Sequence, residues 1–262
     1  MDILLLKFTL TPLLIAAATL AARRWGPVVA GWLAGLPLTS GPISVFLAVE
    51  QGGVFASHAA VGSILGVVGA VAFCVTYALS ARRFGWRGSI LCSFLVYSPT
   101  VLTLSHFGFS LPAAVLTAVL VLLAGMLVAR SGQGKIMAAL PPWWDLPMRM
   151  LVAALLLLAL TAAAHILGPQ MSGILAPFPI MTCVMAIFSH AQYGEPGVRL
   201  FIHGILTAMF SLIAFYVVVS LLVENSTLIA YLAASGAAIL VNLAAWEVLR
   251  LLNKQRAQKR AP

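Results

Sequence analysis

The chain has 262 residues, of which 62% are hydrophobic and 8% are charged, and its mean hydropathy is +1.08. An ordinary soluble domain has about 25% charged residues, so this composition excludes a soluble globular protein. The net charge of +9 does not indicate nucleic-acid binding, because the basic residues cluster at the ends of apolar runs rather than along one polar face.

Long apolar runs follow one another along the chain, and each is long enough to cross a bilayer, which takes about 20 residues. The first run has no basic segment before its apolar core, which predicts a retained helix rather than a cleaved signal peptide. The sequence therefore predicts an all-α, polytopic integral membrane protein with about nine transmembrane helices. The nine runs are 3–22, 27–49, 56–81, 88–106, 110–130, 148–167, 170–191, 197–223 and 226–252.

The positions of Lys and Arg predict the orientation in the membrane. If the N-terminus lies outside, all of the 15 Lys and Arg residues except Lys7 fall in cytoplasmic segments, as the positive-inside rule demands. Lys7 lies one or two turns inside the first run and would snorkel to the outer interface. We therefore expect a bacterial inner (plasma) membrane protein with its N-terminus outside and its C-terminus in the cytoplasm.

The longest polar connection, residues 131–147, divides the chain into two halves. Its two tryptophans suit the headgroup region of a bilayer. The predicted organisation is a first half of five helices over 1–130, this cytoplasmic interfacial connection, a second half of four helices over 148–252, and a basic, frayed cytoplasmic tail over 253–262.

An internal repeat emerges when the chain is aligned with itself so that Gly26 meets Gly168, an alignment called here the repeat register. Five runs precede the second copy, so the two copies cross the membrane in opposite directions. Inverted repeats of this kind build many secondary transporters. The identities span residues 26–79 and include the pairs Gly26-Pro27 with Gly168-Pro169, Gly31 with Gly173, Pro37 with Pro179, Gly52 with Gly194, and Gly62 with Gly204.

Proline interrupts the second run of each copy, at 35–42 and at 176–182. Proline removes a backbone donor and clashes with the preceding turn, so each helix should break near mid-membrane. Ser40 or Thr182 would cap the new half-helix, and two half-helix N-termini brought together would favour an anion. The alternative is that these prolines only bend the helices.

The predicted substrate-binding residues surround these breaks and include polar groups from other runs. Tyr97 and Ser98 precede a further proline in the fourth run. Asn242 lies in the ninth run, where the alternative to substrate binding is a hydrogen bond that only joins two helices. The full set is Pro37, Thr39, Ser40, Gly41, Phe178, Pro179, Thr182, Tyr97, Ser98 and Asn242.

Ionisable residues inside or beside the runs are the predicted coupling and gating groups. His203 is the deepest and would carry a coupling proton, although a structural, hydrogen-bonded histidine fits the same position. No run holds a central carboxylate pair, which disfavours a pump built on embedded acids. The set is His203, Arg199, His190, Glu195, Glu50 and His58.

The stretch 172–179 (SGILAPFP), followed by Gly194, resembles the small bacterial GlpM-type membrane protein family, mainly over 170–223. A weaker form covers 28–81, where Leu36-Pro37 replaces the Phe-Pro pair. That family is linked to alginate exopolysaccharide production. The resemblance implies that this chain is a fused form of a protein that pairs antiparallel with itself. The distance between the histidine and the proline departs from the family pattern. The resemblance therefore assigns functional positions of the family only to Phe178-Pro179 and Gly194.

These patterns together predict a secondary transporter that moves a small anionic solute by alternating access, with coupling to protons left open. One alternative is an envelope or exopolysaccharide biogenesis protein, or a flippase for a lipid-linked anion, which needs a lateral opening to lipid. A membrane-embedded enzyme is disfavoured, because Cys183 is the lone candidate nucleophile and has no base beside it. We expect no cofactor and no metal, contact with membrane lipid, and a monomer or homodimer.

Overall fold

A computed structural model describes residues 3–37, 40–129, 143–167 and 179–258, and within these ranges all regular secondary structure is helical, with no strand. The helices in chain order are α1 (Ile3–Trp25), α2 (Pro27–Ala34), α3 (Ser40–Gln51), α4 (Gly53–Ser80), α5 (Trp86–Ser105), α6 (Leu111–Val128), α7 (Asp145–Leu167), α8 (Ile180–Leu222) and α9 (Thr227–Gln258).

Five of these helices are long and apolar enough to cross a membrane: α4, α5, α6, α8 and, over Thr227–Ala245, α9. Their outward faces carry leucines such as Leu95, Leu120 and Leu232, each more than half exposed. Water would not solvate such a surface, whereas lipid chains would. The all-helical, multi-pass membrane class predicted from composition is confirmed.

Local signals set several of the helix ends. The second apolar run is divided, since α2 ends at Ala34 and α3 begins at Ser40, as the proline interruption predicted. The second interruption lies mostly outside the described residues, and α8 begins just after it at Ile180. The ninth apolar run ends at residue 252, and the helix α9 continues past it to Gln258, into the segment predicted as a basic tail.

Helix ends recur in the repeat register. The first helix of each half has 23 residues, and the start of α7 corresponds to the start of α1. The ends of α4 and α8, Ser80 and Leu222, also correspond. The starts of α5 and α9, Trp86 and Thr227, depart from the register by one position. Within the described chain, α6 has no such counterpart.

Two glycines of the repeat share a backbone conformation that other residues avoid. Gly52 has φ 87° and ψ 166°, and Gly194, where α8 is kinked, has φ 65° and ψ −164°. Both lie in the region of positive φ and extended ψ that is nearly exclusive to glycine. The two positions coincide in the repeat register.

The helices place chain segments at two opposite ends of the bundle. At one, called here the Arg23 end, the last turn of α1 meets the first turn of α7 through an ion pair between Arg23 and Asp145. At the other, the Gln51 end, Gly53 at the start of α4 lies against Val223 and Glu224 at the end of α8. Between these ends α2 packs along α8.

Candidate functional site

The two proline interruptions close with the same backbone hydrogen bond. The N–H of Gly41 donates to the carbonyl oxygen of Pro37 at 2.9 Å, and the N–H of Cys183 donates to that of Pro179, also at 2.9 Å. Gly41 corresponds to Cys183 in the repeat register, as Pro37 does to Pro179. The helices α3 and α8 therefore each begin with one turn whose first carbonyl group belongs to proline.

Hydroxyl groups surround the first break. Ser40, the first residue of α3, and Ser63 of α4 both lie near the hydroxyl group of the buried Tyr216 of α8. One turn further along α3, the hydroxyl oxygens of Ser44 and Tyr231 lie 2.7 Å apart. Four helices thus contribute hydroxyl groups to one region of the bundle interior.

A cavity of about 470 Å³ opens beside the first break, between α3, α8 and α9. Its walls are mainly apolar, and Tyr231 and Ser235 of α9 are its polar side chains. Two of the residues predicted to bind substrate, Pro37 and Gly41, lie in its wall. The full lining is Leu36, Pro37, Gly41, Pro42, Val45, Phe46, Phe215, Tyr231, Ser235, Ala238 and Ile239.

Tyrosines also converge on the second break. Thr182 and Cys183, in the first turn of α8, are buried, and the buried Tyr77 of α4 and Tyr97 of α5 lie near Cys183. The hydroxyl of Tyr77 has no hydrogen-bond partner among the described residues, and its ring lies 5.8 Å from that of His190. A buried hydroxyl of this kind is free to bind a water or a solute group.

The strongest electrostatic feature of the described chain is a buried charge network at the Arg23 end. Asp145 accepts from Nη2 of Arg23 and from Nε of Arg149, each at 3.0 Å, and also from the side-chain amide of Gln192. Nη2 of Arg149 donates to Oε1 of Gln192 at 2.8 Å, and its guanidinium lies 4.7 Å from the ring centroid of Phe188.

The centre of this network is buried, since Asp145 is 0% exposed and Arg149 is 2% exposed, whereas the side chain of Arg23 is 31% exposed. A buried charge is tolerated when it is paired and hydrogen-bonded, and the Asp145 carboxylate accepts from three side chains. The network joins α1, α7 and the first segment of α8. We call Arg23, Asp145, Arg149 and Gln192 the Arg23-end network.

The predicted coupling and gating residues do not form one cluster. Arg199 pairs with Glu195 through an Nη1–Oε1 contact of 2.9 Å on α8, and the half-buried His203 offers its backbone carbonyl to Thr207. Glu50 and His58 are exposed near the Gln51 end.

The other predicted substrate residues are dispersed. Ser98 is exposed on the outer face of α5, and Asn242 is buried with no partner for its Oδ1 among the residues described. Thr39 and Phe178 lie outside the described residues.

The charge network was missed by the sequence analysis. Asp145 and Arg149 stand at the beginning of an apolar run, where charges ordinarily face the membrane surface. Their spacing of four positions on one helix was the signal for a pair. Gln192 carried no signal, because its role depends on packing between distant segments.

The fold and these sites define a polytopic helical membrane protein in which one helix is broken at Pro37, another begins after Pro179, and an ion pair is buried. No family model matches the chain, and comparisons with curated proteins and with solved structures also found no match. Among the described residues, no group of three or more His, Cys, Asp or Glu side chains is placed to hold a metal ion.

Proposed function

We propose that the protein is a secondary transporter that moves a small organic anion across the bacterial inner membrane by alternating access. The observation that carries this proposal is the recurrence of backbone features in the repeat register: helix ends, the Gly52 and Gly194 conformations, and the turn bonds after Pro37 and Pro179. Two like halves are what alternating access requires, because an exchange of their conformations converts one state into the other.

Contacts at the two ends of the bundle support nine spans and inverted copies. Arg23 follows the first predicted span and Asp145 precedes the sixth, so their ion pair requires an even number of spans between them. The contact between Gly53 and Val223 likewise requires an even number of predicted spans between these two residues. One span more or fewer within either interval would put these contacting residues on opposite faces of the membrane.

The first break supports the assignment of the solute class. Its surroundings offer hydroxyl groups from Ser40, Ser44, Tyr216 and Tyr231, and none of the described residues that line the adjacent cavity is acidic. Hydroxyl donors suit the oxygen atoms of a carboxylate, and the absence of acids from the lining spares an anion from repulsion. A volume of about 470 Å³ falls in the range of small-molecule sites.

The apolar walls of the same cavity favour a second candidate, a flippase for a lipid-linked anion. Leu36, Phe46 and Ile239 line the cavity and would contact an acyl chain. In this case the hydroxyl groups would bind the headgroup, and the protein would serve envelope or exopolysaccharide biogenesis.

The test is uptake by purified protein in proteoliposomes. A thermal-stability screen with acetate, lactate, succinate, phosphate and glycerol phosphate first finds an anion that raises the melting temperature, because a ligand of the folded state stabilises it. That anion is then supplied in labelled form. We expect uptake to be lost in the double variant Ser40→Val, Thr182→Val while the melting temperature in the absence of ligand stays close to that of the parent.

The matched control is Thr100→Val, which removes a hydroxyl bonded only to its own helix, at the carbonyl of Val96. The control should transport like the parent. Unchanged uptake in the double variant would overturn the site assignment. Movement of a fluorescent anionic phospholipid between leaflets, with no uptake of soluble anions, would favour the flippase.

A further inference from the structure

A histidine inside the second half of the bundle has a ring nitrogen without a partner. His190 lies in the first segment of α8 and is half-buried. Its Nδ1 atom is buried and has no hydrogen-bond partner among the described residues. Buried polar atoms are nearly always hydrogen-bonded, so this exception needs an explanation. A histidine retained only for structure would be expected to bond this nitrogen.

A second unpartnered atom belongs to the neighbouring ring. The ring of Tyr77 packs edge-on against that of His190, with 5.8 Å between the centroids and 68° between the planes. Tyr77 is 0% exposed, and its hydroxyl also has no partner among the described residues. A neutral imidazole has one donor nitrogen, whereas the protonated ring has two. A proton on His190 would therefore ensure a donor at Nδ1, and the Tyr77 oxygen on the adjoining ring is an unused acceptor.

Glu195 brings a negative charge close to the same histidine. It is the first residue after Gly194, and it lies near His190. In the state described, Oε1 of Glu195 accepts from Nη1 of Arg199 at 2.9 Å. A positively charged His190 would compete with Arg199 for this carboxylate. Since Gly194 lies between the two competing partners in the chain, the competition would act on the joint between the two segments of α8.

The other elements packed around this segment bring few charges to it. The Arg23-end network is paired within itself and packs over Phe188, on a different side of the segment. The helices α2 and α6 contact α8 and carry no ionisable side chain. The remaining ionisable groups are Cys74, Tyr97, Cys183 and Tyr193, which are ordinarily neutral at about pH 7, the half-buried His203, and the exposed Arg24, Arg82, Arg83, Arg87 and Glu247.

We infer that His190 binds the proton that couples solute movement, with the Tyr77 hydroxyl as acceptor for the charged ring and Glu195 as its counter-charge. The inference rests on the transporter proposed above. Histidine suits this role because its charge changes near neutral pH. The proton adds to a ring nitrogen, and no other covalent bond changes. A shift of Glu195 from Arg199 toward His190 then alters how the two segments of α8 meet at Gly194.

The first experiment follows the protonation of His190 directly, with no solute present. Protein with isotope-labelled histidine is placed in lipid nanodiscs, and the ring signals are recorded by NMR between about pH 5 and pH 9. The His190 signal is the one that disappears in His190→Gln and that remains when the other four histidines are replaced by glutamine. We expect it to titrate. Tyr77→Phe should lower its midpoint by about one pH unit, because a hydrogen bond to the charged ring is lost.

Glu195→Gln should lower the midpoint by less, because the side chain of Glu195 is 31% exposed and solvent screens its charge. Two controls should leave the midpoint unchanged. Ser93→Ala removes a buried hydroxyl that bonds its own helix at the carbonyl of Ser89, and Glu224→Gln removes an exposed acid at the Gln51 end. A His190 signal that does not titrate, or a midpoint in Tyr77→Phe equal to that of the parent, would overturn the proton site.

The coupling role is tested by uptake of the screened anion under an imposed pH gradient. Accumulation should follow the gradient in the parent and in Glu224→Gln, and this dependence should be lost in His190→Gln while exchange of labelled for unlabelled anion continues. Accumulation in His190→Gln that still follows the gradient would overturn the coupling role. A protein whose His190 titrates as expected but which takes up none of the anions would instead overturn the transporter and leave the proton site supported.

Discussion

Gly31 of α2 and Gly204 of α8 lie in one interface, and each leaves room for the backbone of the other helix. A Cβ built on Gly31 would overlap the carbonyl oxygen of Phe201, and one on Gly204 would overlap that of Val28. Small residues allow such close approach of helices in membranes, where van der Waals packing drives association. This contact fixes α2, and with it the start of the first break, against α8.

Alanine at either of these glycines should separate α2 from α8. We expect Gly31→Ala and Gly204→Ala each to lower the free energy of unfolding by about 1–3 kcal/mol, as overpacking does. The double variant should lose less than the sum, because one separation relieves both overlaps. Thermal unfolding in detergent measures the effect. Gly236→Ala is the control, since a Cβ there meets nothing within 4 Å.

The shared conformation of Gly52 and Gly194 predicts equal sensitivity at the two sites. Alanine at either position would hold a β-carbon in a glycine-only region, at a cost of about 1–3 kcal/mol. Melting temperatures of Gly52→Ala and Gly194→Ala should fall together. Gly85→Ala, at an ordinary φ of −66°, should not share the loss, and a tolerant Gly194→Ala would contradict the prediction.

Asp145 should be among the most sensitive charged positions in the described chain. Its replacement by alanine leaves Arg149 buried and uncompensated, which costs about 3–5 kcal/mol. Arg149→Lys should not preserve stability, because a single ammonium group cannot reproduce the bonds of Nε and Nη2 to two different partners. Chemical or thermal unfolding in detergent gives the comparison, and Glu224→Ala, an exposed acid, serves as the reference.

The hydroxyl pair between Ser44 and Tyr231 predicts a specific double-mutant cycle. Ser44→Ala and Tyr231→Phe should each destabilise the protein by about 0.6 kcal/mol, the average for hydrogen bonds between membrane helices. The double variant should be no worse than the single ones, because both remove the same 2.7 Å bond. Additive losses would mean that the two hydroxyl groups act separately.

The fold was largely predictable because bilayer thickness sets the length of each span and proline sets the position of the break. Apolar runs located the helices closely, and Pro37 predicted the interval between Ala34 and Ser40. Nine spans and an inverted repeat remain a proposal. The last helix extends beyond the ninth apolar run to Gln258, because a helix can continue past the apolar residues that mark a membrane span.

The site was less predictable, because polar contacts join segments that are far apart in the chain. Pro37 and Gly41 do line a cavity, but its other walls come from α8 and α9. Asp145 fell in the predicted interfacial connection and Arg149 among the cytoplasmic basic residues, since a charge at the end of a span carries no local mark of being folded inward. Their partner Arg23 comes from the first helix of the chain, and Gln192 comes from the helix that follows α7.

The connections on the two sides of α3 differ in length, with a mechanical consequence. Gly52 alone joins α3 to α4, and Gly194 alone separates the two segments of α8, so each of these connections is a single residue long. A longer connection, from Gly35 onward, separates Ala34 from Ser40. A displacement of α3 would therefore displace the start of α4 with it, whereas the longer connection before α3 would let α2 stay packed against α8.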